Sequence, residues 1–588
     1  MLGTSAHWYF RGQPGPPSAA TPGDGKTYAS AWRTTADIEW SSLRPGDVLY
    51  LCGLCTRGLS VPPNLSGTAG RPITIDGSCP YGDGASDPVL WVGGVPLTFP
   101  AGWSGPDQNG LYSRPYGGST NTAVLSSAPN STDPSVLTRL SRGNCSKSGP
   151  LDPRAWKPGA FCDTADSQAP WGSQASQGTL FYKPLSTSPS TFFAAWSEVF
   201  VLANASHVVL RSVRVYGVGE RHIRMASSSD LAVLDSHFQW AASMAITPTA
   251  VQRLLVQNNT IRQCACGLYT VGLHTAESTN DMVVRGNRFV DIDTEDFYGN
   301  GDTHAIGLQG GSRNLFEHNV VDGAGGSGIT FYQGPDSASG RPPQEMHDNV
   351  VRYNTVMNIK SANPSRNQHG IETGGGRYAS GNLTYNNSVY YNVLSNVTHI
   401  ALRSKTPWPA ATGHGRYQWR WLNNVVSDSG VGFSTAYECV GPPTEPCFKP
   451  EQVANNVFVG SRFAHHDGWD ISGRTSHARN DWQNNAFYPD GPALFCFGLC
   501  RWPGQLPCAN CTDFATFERD QPQPTNSLVA PPRLLDLSAP PLGMRPLPGS
   551  PLLGRGVAVG LRRDWLGAVV PTATPPAIGA FQEAAAYK

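Results

Sequence analysis

A short pattern of hydrophobic and polar positions recurs along the middle of the chain: a few apolar residues, then Asn, then another apolar pair. It reads VQNNTI, VRGNRFV, FEHNVV, VRYNTV, TYNNSVY, WLNNVV, VANNVFV and WQNNAF, at intervals of 28 to 37 residues. The matching asparagines are Asn259, Asn287, Asn319, Asn354, Asn387, Asn424, Asn456 and Asn485. Ser212 in VLRSVRV and Ser236 in VLDSHF hold the same place in two earlier repeats. Such a repeat predicts stacked units that share one elongated core.

The recurring Asn has a physical explanation in a stack of parallel coils. The same position in successive coils is about 4.8 Å apart, so side-chain amides can hydrogen-bond from coil to coil and satisfy each other's buried groups. Asparagines in independent turns would not keep one apolar frame through eight repeats. We therefore predict that the eight form one internal ladder.

A second strand pattern follows each Asn, in HAIGLQG, SGITFYQG, HGIETGG, HIALRSK and GVGFSTAY. Alignment of these segments predicts two inward columns, because alternate residues of a strand face opposite sides. The first column is Ile306, Ile329, Ile371 and Ile400, and the second is Leu308, Phe331, Thr373 and Leu402. The outward residues are then Thr330 and Glu372 in one row and Gln309, Tyr332 and Arg403 in the next, with Lys405 two residues beyond.

These patterns predict an all-β chain built as a parallel β-helix solenoid. Its 64 Gly and 49 Pro suit short strands broken by many turns. We expect a cap and first coils over residues 1–100 and an inserted Gly-, Ser-, Pro- and Trp-rich lobe over 101–200. Regular coils should span 201–487, and a Cys-containing loop and closing segment should span 488–588.

Both ends of the chain resemble a known superfamily. The segments are Ser30-Ala-Trp-Arg-Thr, Leu43-Arg-Pro-Gly-Asp-Val-Leu-Tyr-Leu and Gly67-Thr-Ala-Gly-Arg-Pro-Ile-Thr-Ile at the start, and Gly549-Ser-Pro-Leu-Leu-Gly, Arg563-Asp-Trp-Leu-Gly and Ile578-Gly-Ala-Phe at the end. They resemble secreted right-handed parallel β-helix proteins of the pectin-lyase-like superfamily. The resemblance implies that fold over nearly the whole chain and a polysaccharide partner, but one solenoid hosts lyases, hydrolases, epimerases and binding proteins.

The charge balance narrows the classes of partner. The chain has 43 Lys and Arg against 43 Asp and Glu, and charged residues are only 15% of 588. It therefore lacks the global field that would attract nucleic acid or an anionic membrane, and it has no apolar run of about 18 residues that could cross a bilayer. We expect a monomer whose acidic substrate meets a local basic cluster.

Cysteines and glycosylation motifs favour an oxidising, extracellular location. The chain has 13 Cys, and Asn-x-Ser/Thr occurs at Asn64, Asn130, Asn144, Asn204, Asn258, Asn382, Asn386, Asn396 and Asn510. Its first residues lack the regions of a signal peptide, so we expect a leader to be removed or absent from this chain. The close pairs Cys52/Cys55, Cys496/Cys500 and Cys508/Cys511 predict disulfides, with zinc ligation as the alternative.

The longest loops and the densest ionisable residues coincide between residues 280 and 416, which predicts the functional flank there. A basic pair, Arg403 and Lys405, could neutralise an acidic sugar, unless it is only a solvated strand end. We expect Arg403 to act in catalysis and the following residues to bind substrate: Gln309, Tyr332, Glu372, Lys405 and Trp408.

One segment carries candidate catalytic residues. Tyr298-Gly299 followed by Asp302-x-His304 is similar to the Tyr-Gly-Phe-Asp-Pro-His motif of β-helical mannuronan C5-epimerases, in which Tyr and His exchange the sugar C5 proton. This chain has one extra residue before Asp302 and Thr in place of Pro. The resemblance implies catalytic roles for Tyr298 and His304, with His369 in reserve. Strand alternation gives the other interpretation, in which both histidines turn inward with Ser327 and Thr398.

The chemistry of a uronate sugar needs few groups. An Arg, a Lys, an amide or a bound Ca²⁺ neutralises the carboxylate, and a His, Tyr or Lys base takes the C5 proton. We expect a lyase that cleaves by β-elimination and needs no certain cofactor, and a C5-epimerase is the alternative. A glycoside hydrolase would need two carboxylates, from Asp302 and Glu372 or from Asp291, Asp293 and Asp296. A non-catalytic carbohydrate-binding or adhesion solenoid would stack sugars on Trp408, Trp419 and Trp421.

Overall fold

The computed structural model is nearly all β-structure and forms two compact units. One unit comprises 1–268 with 297–300, and the other comprises 269–296 with 301–588. The structure describes residues 5–583 except 13–22, 81–88, 93–94, 117–121, 127–136, 140, 143–144, 147–148, 151–152, 159, 164–177, 186–189, 196–197, 271–277, 296–302, 334–344, 365, 376–382, 407–416, 438–450, 469–479, 493, 498–509 and 522.

The first unit is a stack of coils, each with up to three strands, and the strands of successive coils pair in parallel to form three faces. Its repeat is 23 residues in the regular part. The first face holds His7–Gly12, Val48–Cys55, Ile73–Asp76, Ser206–Arg211, Ser229–Leu234 and Leu255–Gln257. The second holds Leu90–Val92, Arg214–Val218, His237–Ala241 and Thr260–Arg262. The third holds Leu59–Val61, Phe200–Ala203, Arg221–Ala226, Met244–Thr249 and Cys266–Tyr269.

Between the early and the regular coils of this unit the strand pairing becomes mostly antiparallel. One sheet contains Val95–Phe99, Thr122–Ser126, Leu137–Arg139 and Ser190–Ala195. Another contains Tyr112–Tyr116, Ser141–Arg142, Ala160–Asp163 and Gly178–Tyr182, and Cys145–Ser146 pairs with Gly149–Pro150. This lobe has its own apolar core, formed by Leu97, Phe99, Trp103, Phe161, Leu180 and Tyr182.

The second unit repeats the three-faced coil. The first face holds Val283–Arg285, Leu315–Glu317, Val350–Arg352, Asn387–Tyr390, Trp419–Leu422, Gln452–Ala454 and Asp481–Gln483. The second holds Arg288–Ile292, Val320–Ala324, Thr355–Ile359, the starts of Val393–Thr406 and Val425–Tyr437, Val457–Val459, Ala486–Tyr488 and Leu528–Val529. The third holds His304–Gln309, Ser327–Gln333, His369–Gly375, the ends of the two long strands, Phe463–Gly468 and Phe495–Phe497.

Four shorter elements also belong to the second unit. Glu345–His347 pairs with Leu383–Tyr385, and Asn510–Thr512 pairs antiparallel with Phe495–Phe497. The α-helix Phe514–Arg519 begins at Asp513, whose side chain accepts a hydrogen bond from the Thr516 amide. No helix within the described part of the chain is long and apolar enough to cross a membrane.

The corner between the first and second faces has a fixed two-residue form. Its first residue has positive φ, and its second is Asn, as in Tyr353 (φ 57°) and Asn354. The Asn354 amide donates to Asn392 at 3.0 Å and to the Phe316 carbonyl at 2.9 Å. The same bonds run along the second unit through Asn287, Asn319, Asn354, Asn392, Asn424, Asn456 and Asn485. This is the predicted ladder, with one member changed.

The changed member is Asn387, whose assignment to this ladder is wrong. Asn387 accepts from Asn349, which accepts from Asn314, so these three form a second ladder at the corner before the first face. The first ladder takes Asn392, from VYYNVL. Both corners use a positive-φ residue followed by Asn, as in Asn386 (φ 57°) before Asn387, so the sequence pattern alone does not tell them apart.

The first unit has the same type of corner, formed by other residues. The side-chain oxygen of Asn259 accepts a hydrogen bond from the backbone N–H of Ser236. The Ser236 hydroxyl accepts one from the backbone N–H of Val213. Ser212 was therefore aligned one residue too early, because it is the positive-φ residue (φ 57°) and Val213 holds the ladder position.

Corner geometry also accounts for several glycosylation motifs. Five of the nine motif asparagines are exposed and have φ between 51° and 69°: Asn64, Asn204, Asn258, Asn386 and Asn396. Asn adopts this left-handed conformation more readily than most residues. Their presence therefore has a conformational cause, and glycosylation stays a prediction.

Two disulfides are present among the described cysteines, Cys52–Cys79 and Cys496–Cys511. Cys52 is thus bonded to Cys79 and not to its close neighbour Cys55, and zinc ligation by Cys496 and Cys511 is wrong because these two are bonded to each other. Cys500 and Cys508 lie outside the described residues.

The C-terminal segment docks on the positive-φ corner of the second unit. Asn423, Asn455 and Asn484 donate to the carbonyls of Gly579, Val557 and Arg555 at 2.8–3.0 Å. Apolar residues seal the contact: Tyr391, Val393, Val425, Val457, Ala486, Met544, Leu552, Val570, Ile578, Ala580 and Phe581. The positive-φ Asn of a corner thus donates to the C-terminal segment, whereas the Asn that follows it donates within the ladder.

The ladder makes a quantitative prediction. Replacing Asn354 with Leu should lower the unfolding free energy by about 1–3 kcal/mol, because it leaves buried ladder groups unpaired. Met357→Leu, a half-buried apolar exchange in the next strand, is the matched control and should change it little. Urea unfolding of the three proteins is the measurement, and equal stability of Asn354→Leu and the control would contradict the ladder.

The Cys52–Cys79 bond closes a 27-residue separation. Removing it by the double change Cys52→Ser and Cys79→Ser should cost about 3 kcal/mol, because the unfolded chain gains freedom. Thermal unfolding with and without reductant measures this effect. A double variant as stable as the oxidised wild type would show that the bond does not hold the first coils together.

Candidate functional site

The third face of the second unit carries most of the predicted site, in a register that differs from the sequence alignment. Ile371 pairs with Leu402 and His369 pairs with Ile400. The predicted inward columns are therefore wrong at Ile400 and Leu402 by two residues. The pairing of the long strand with the next one is also irregular, between Val397 and Ile400.

The corrected register changes the outward rows. Gly307, Thr330, Glu372, Arg403 and Ser434 form one row. Gln309, Tyr332, Gly374, Lys405 and Ala436 form the next. The prediction that Arg403 shares a row with Tyr332 is wrong, and the structure instead sets Arg403 directly beside Glu372.

Glu372 is the centre of a buried polar cluster. Its carboxylate accepts hydrogen bonds from Ser327 at 3.0 Å, from His369 Nδ1 at 3.0 Å and from Arg403 Nη1 at 2.9 Å. His369 is fully buried, and the side chains of Glu372 and Arg403 are 12% and 10% exposed. Both carboxylate oxygens are therefore held by donors of the protein itself.

Protonation in this cluster follows from burial and charge. Burial disfavours the ionised form of Glu372, but the interactions with His369 and Arg403 outweigh it and hold its pKa well below the ordinary value. Burial lowers the pKa of His369. The negative charge of Glu372 raises this pKa, and the positive charge of Arg403 lowers it further. Burial lowers the pKa of nearby His399 to about 4. At neutral pH the cluster is therefore an ionised Glu372–Arg403 pair beside uncharged His369 and His399.

A second group of side chains lies on the coils before the Glu372 cluster: His304 and Gln309 are two coils before it, and Tyr269 is three coils before it. His304 stacks on Tyr269 with ring centroids 5.4 Å apart and an interplanar angle of 15°. The Tyr269 hydroxyl accepts a hydrogen bond from the Gln309 amide, and His304 Nδ1 lies 3.1 Å from the Thr330 hydroxyl. Gln309 is only 6% exposed, and its Oε1 has no hydrogen-bond partner among the described residues. We call Tyr269, His304 and Gln309 the Tyr–His–Gln group.

Gly307 makes room for this group. A Cβ at Gly307 would lie 2.2 Å from the ring of Tyr269, so any side chain there would displace the ring. Thr330, in the same row one coil later, stands between His304 and the Glu372 cluster. Thr330 therefore lies in the row of Glu372 and also within 3.1 Å of His304.

The structure brings together only some of the predicted site residues. His304, Gln309, Thr330, His369, Glu372 and Arg403 lie in these two groups, whereas Tyr332 is half-buried in the neighbouring row. The inward column predicted for the histidines contains His304, Ser327 and His369, with Ile400 in place of Thr398. Tyr298, Asp296, Asp302 and Trp408 lie outside the described residues, as does the side chain of Lys405.

Residues predicted for the carbohydrate-binding and hydrolase alternatives are buried in the structure. Trp419 and Trp421 are 2% and 0% exposed, and Trp421 donates to the buried Glu451 at 2.7 Å. Neither can be the sugar-stacking platform predicted from the sequence. Asp293 is also buried, in an ion pair with Arg366, so it is no free carboxylate for hydrolysis.

Sequence reasoning missed Tyr269. It lies at the end of Cys266–Tyr269, before a segment that is not described, and no repeat motif covers it. One signal was available. Gly307 stands in the row of Thr330 and Glu372, and a missing side chain there leaves room for a large one from the preceding coil. For metals, the described residues contain no group of three or more His, Cys, Asp or Glu side chains placed to hold an ion.

Comparisons with known proteins agree with this architecture. Residues 188–341 match the family model described as the right handed beta helix region. A comparison with curated proteins found no match. Among solved structures, the complex of XylC with xylose is similar over 98% of both chains, at 10% identity and a TM-score of 0.51. Pectate lyase Pel9A (12% identity, 99% and 97% of the chains, TM-score 0.39) and a glycoside hydrolase (12%, 84% and 96%, 0.46) are also similar.

The low pKa of Glu372 makes a prediction about acid stability. Its folded pKa lies below the unfolded value of about 4.3, so ionised Glu372 stabilises the fold above that pH, and this contribution is lost as pH falls through the folded pKa. Glu372→Gln should flatten the acid limb of Tm against pH. At pH 7 it should cost about 3–5 kcal/mol, because it removes the carboxylate that Arg403 contacts.

Glu317→Gln is the matched control for this measurement. Glu317 pairs with Arg352, whose side chain is 32% exposed, so the cost should be about 1 kcal/mol or less. Parallel profiles of Tm against pH for wild type and Glu372→Gln would contradict the assignment of a low pKa to Glu372.

Proposed function

We propose that this chain is a polysaccharide-active enzyme, a lyase that cleaves an acidic, uronate-containing glycan by β-elimination. The observation that carries the proposal is the Tyr–His–Gln group, in which two groups able to transfer protons stack beside a buried amide. General acid–base catalysis requires such groups within reach of one substrate atom.

The reaction assigns a role to each member. His304 takes the C5 proton, and the electron pair forms the C4–C5 double bond as the C4–O4 bond breaks. Tyr269 gives its hydroxyl proton to the leaving O4 and regains a proton from His304. Gln309 donates one amide hydrogen to Tyr269 and the other to the sugar carboxyl group, on which negative charge develops.

The Glu372 cluster supports this group. Because both oxygens of Glu372 are held by protein donors and its pKa is low, Glu372 does not supply the proton that a glycosidase acid gives to its leaving group. Fully buried His369 serves to hold Glu372, so His304 is the better base. Arg403 adds positive charge near the carboxyl group, reduced by its pairing with Glu372.

The fold and the cysteines support the rest of the proposal. The β-helix presents long parallel rows, which suit an extended polymer, and a structure of the same fold is described as a complex with xylose. Two disulfides favour secretion. The acidic character of the substrate and a monomeric state remain part of the proposal.

The test begins with the product. Purified protein incubated with a panel of polyuronates and neutral glycans should generate the ultraviolet absorbance of an unsaturated uronide with a polyuronate only. C5-epimerisation would instead change the sugar composition without new chain ends, and hydrolysis would give reducing ends without absorbance. Absence of all three on the panel would favour a binding protein.

Variants assign the roles. Tyr269→Phe and His304→Gln should each lower kcat by about 100-fold or more, because each removes a proton-transfer group, and leave KM within a few-fold. Gln309→Ala should raise KM and lower kcat. Tyr353→Phe, which removes the hydroxyl of a corner tyrosine, is the control and should retain full activity.

One result would replace the mechanism. If Tyr269→Phe and His304→Gln keep full turnover while Glu372→Gln and Asp302→Asn abolish it, a two-carboxylate hydrolase explains the site better. If Tyr298→Phe alone abolishes turnover, Tyr298 and not Tyr269 is the proton donor.

A further inference from the structure

A buried ion pair lies at the turn that leads into the third face. Arg366 Nη1 contacts Asp293 Oδ2 at 2.7 Å and donates to the Thr303 hydroxyl at 3.1 Å. The two charged side chains are 2% and 0% exposed. Neither the Tyr–His–Gln group nor the Glu372 cluster includes these residues.

This ion pair joins two coils that are not adjacent. Asp293 and Thr303 border the coil of His304, Arg366 precedes His369 two coils later, and Gly325–Gly326 turn between them. A Cβ at Gly325 would lie 2.2 Å from the Asp293 carbonyl oxygen, and one at Gly326 would lie 2.0 Å from that of Thr303. The two glycines therefore keep the middle turn thin enough for Arg366 to cross it.

A backbone hydrogen bond makes the same jump. The Ala362 amide donates to the Thr294 carbonyl at 2.8 Å, which again joins the turn before His369 to the turn before His304. In a regular stack each coil bonds only to its neighbours. Side chain and backbone thus independently connect coils that are two steps apart, a rise of about 10 Å.

The connected segments end at the candidate site. Thr303 immediately precedes His304, and its carbonyl accepts from the Ser327 amide at 2.9 Å. Arg366 lies three residues before His369, the residue that holds Glu372. A shift of the Arg366 contacts would therefore move both polar groups relative to each other.

We propose that Arg366 is a positioning residue, which fixes His304 and His369 at one separation by clamping Asp293 and Thr303 across the Gly325–Gly326 turn. This inference rests on the proposed function only for its catalytic consequence. Burying two charges is expensive, and apolar residues of similar volume are often as stable, so stability alone gives weak reason for the pair. Its directional contacts to two coils give it a geometric role.

The test separates geometry from stability and from activity. The double variant Arg366→Met with Asp293→Leu replaces the charges with apolar side chains, and Arg366→Lys keeps the charge. The first readout is the imidazole ¹⁵N resonances of His304 and His369, assigned from His304→Gln and His369→Gln. His222, buried in the first unit, is the internal control. Urea unfolding of each protein shows whether the fold is intact.

The double variant should unfold near the wild-type midpoint, shift or broaden the His304 and His369 resonances and leave those of His222 unchanged. With a cleaved polyuronate, its kcat should fall about 10-fold or more at nearly constant KM, with partial recovery in Arg366→Lys. If it does not fold, Asp293→Asn provides the same readouts. Unchanged His304 and His369 resonances in a folded variant would overturn the inference whatever the turnover, whereas shifted resonances in a protein without lyase activity would overturn only the proposed function.

Discussion

The fold depends on satisfying backbone and side-chain amides at one sharp corner of every coil. A residue with positive φ turns the chain, and the next Asn bonds to the Asn above and to a carbonyl of the coil below, as Asn354 does between Asn319 and Asn392. Buried amides without such partners would cost about as much as lost hydrogen bonds. The ladder therefore sets the stacking register, and the faces that follow can vary in length without losing it.

This division leaves the third face free to carry polar residues. Glu372, His369 and Arg403 are buried, yet each lies against a partner supplied by an adjacent coil. Thr330 lies in the row of Glu372, and its hydroxyl contacts His304 of the Tyr–His–Gln group. The cost of desolvating these side chains is offset only while the coils keep their register. The chemistry of the site thus depends on the same stacking that the ladder enforces.

The sequence predicted the solenoid because apolar spacing and Asn recur together, and that pattern survives variable loops. It misplaced Asn387 because both corners use the same two-residue form, and it misplaced Ile400 because His399-Ile-Ala-Leu pairs with the preceding strand two residues away from the aligned position. That shift hid the contact between Arg403 and Glu372, which depends on which residues face each other across coils. The repeat pattern did not predict Tyr269 or the Arg366 clamp. Both depend on glycines of other coils that leave space for them, and the sequence does not show which side chain fills such a space.

The central claim is that the site breaks a glycosidic C–O bond by elimination, without adding water. Digestion of a cleaved polyuronate in H₂¹⁸O, followed by mass spectrometry of the first oligosaccharides formed, tests it most directly. The account predicts products that carry a C4–C5 double bond and no ¹⁸O beyond slow exchange at the reducing end. Saturated products that carry one ¹⁸O per cleavage, incorporated at the new reducing end faster than it exchanges, would contradict it.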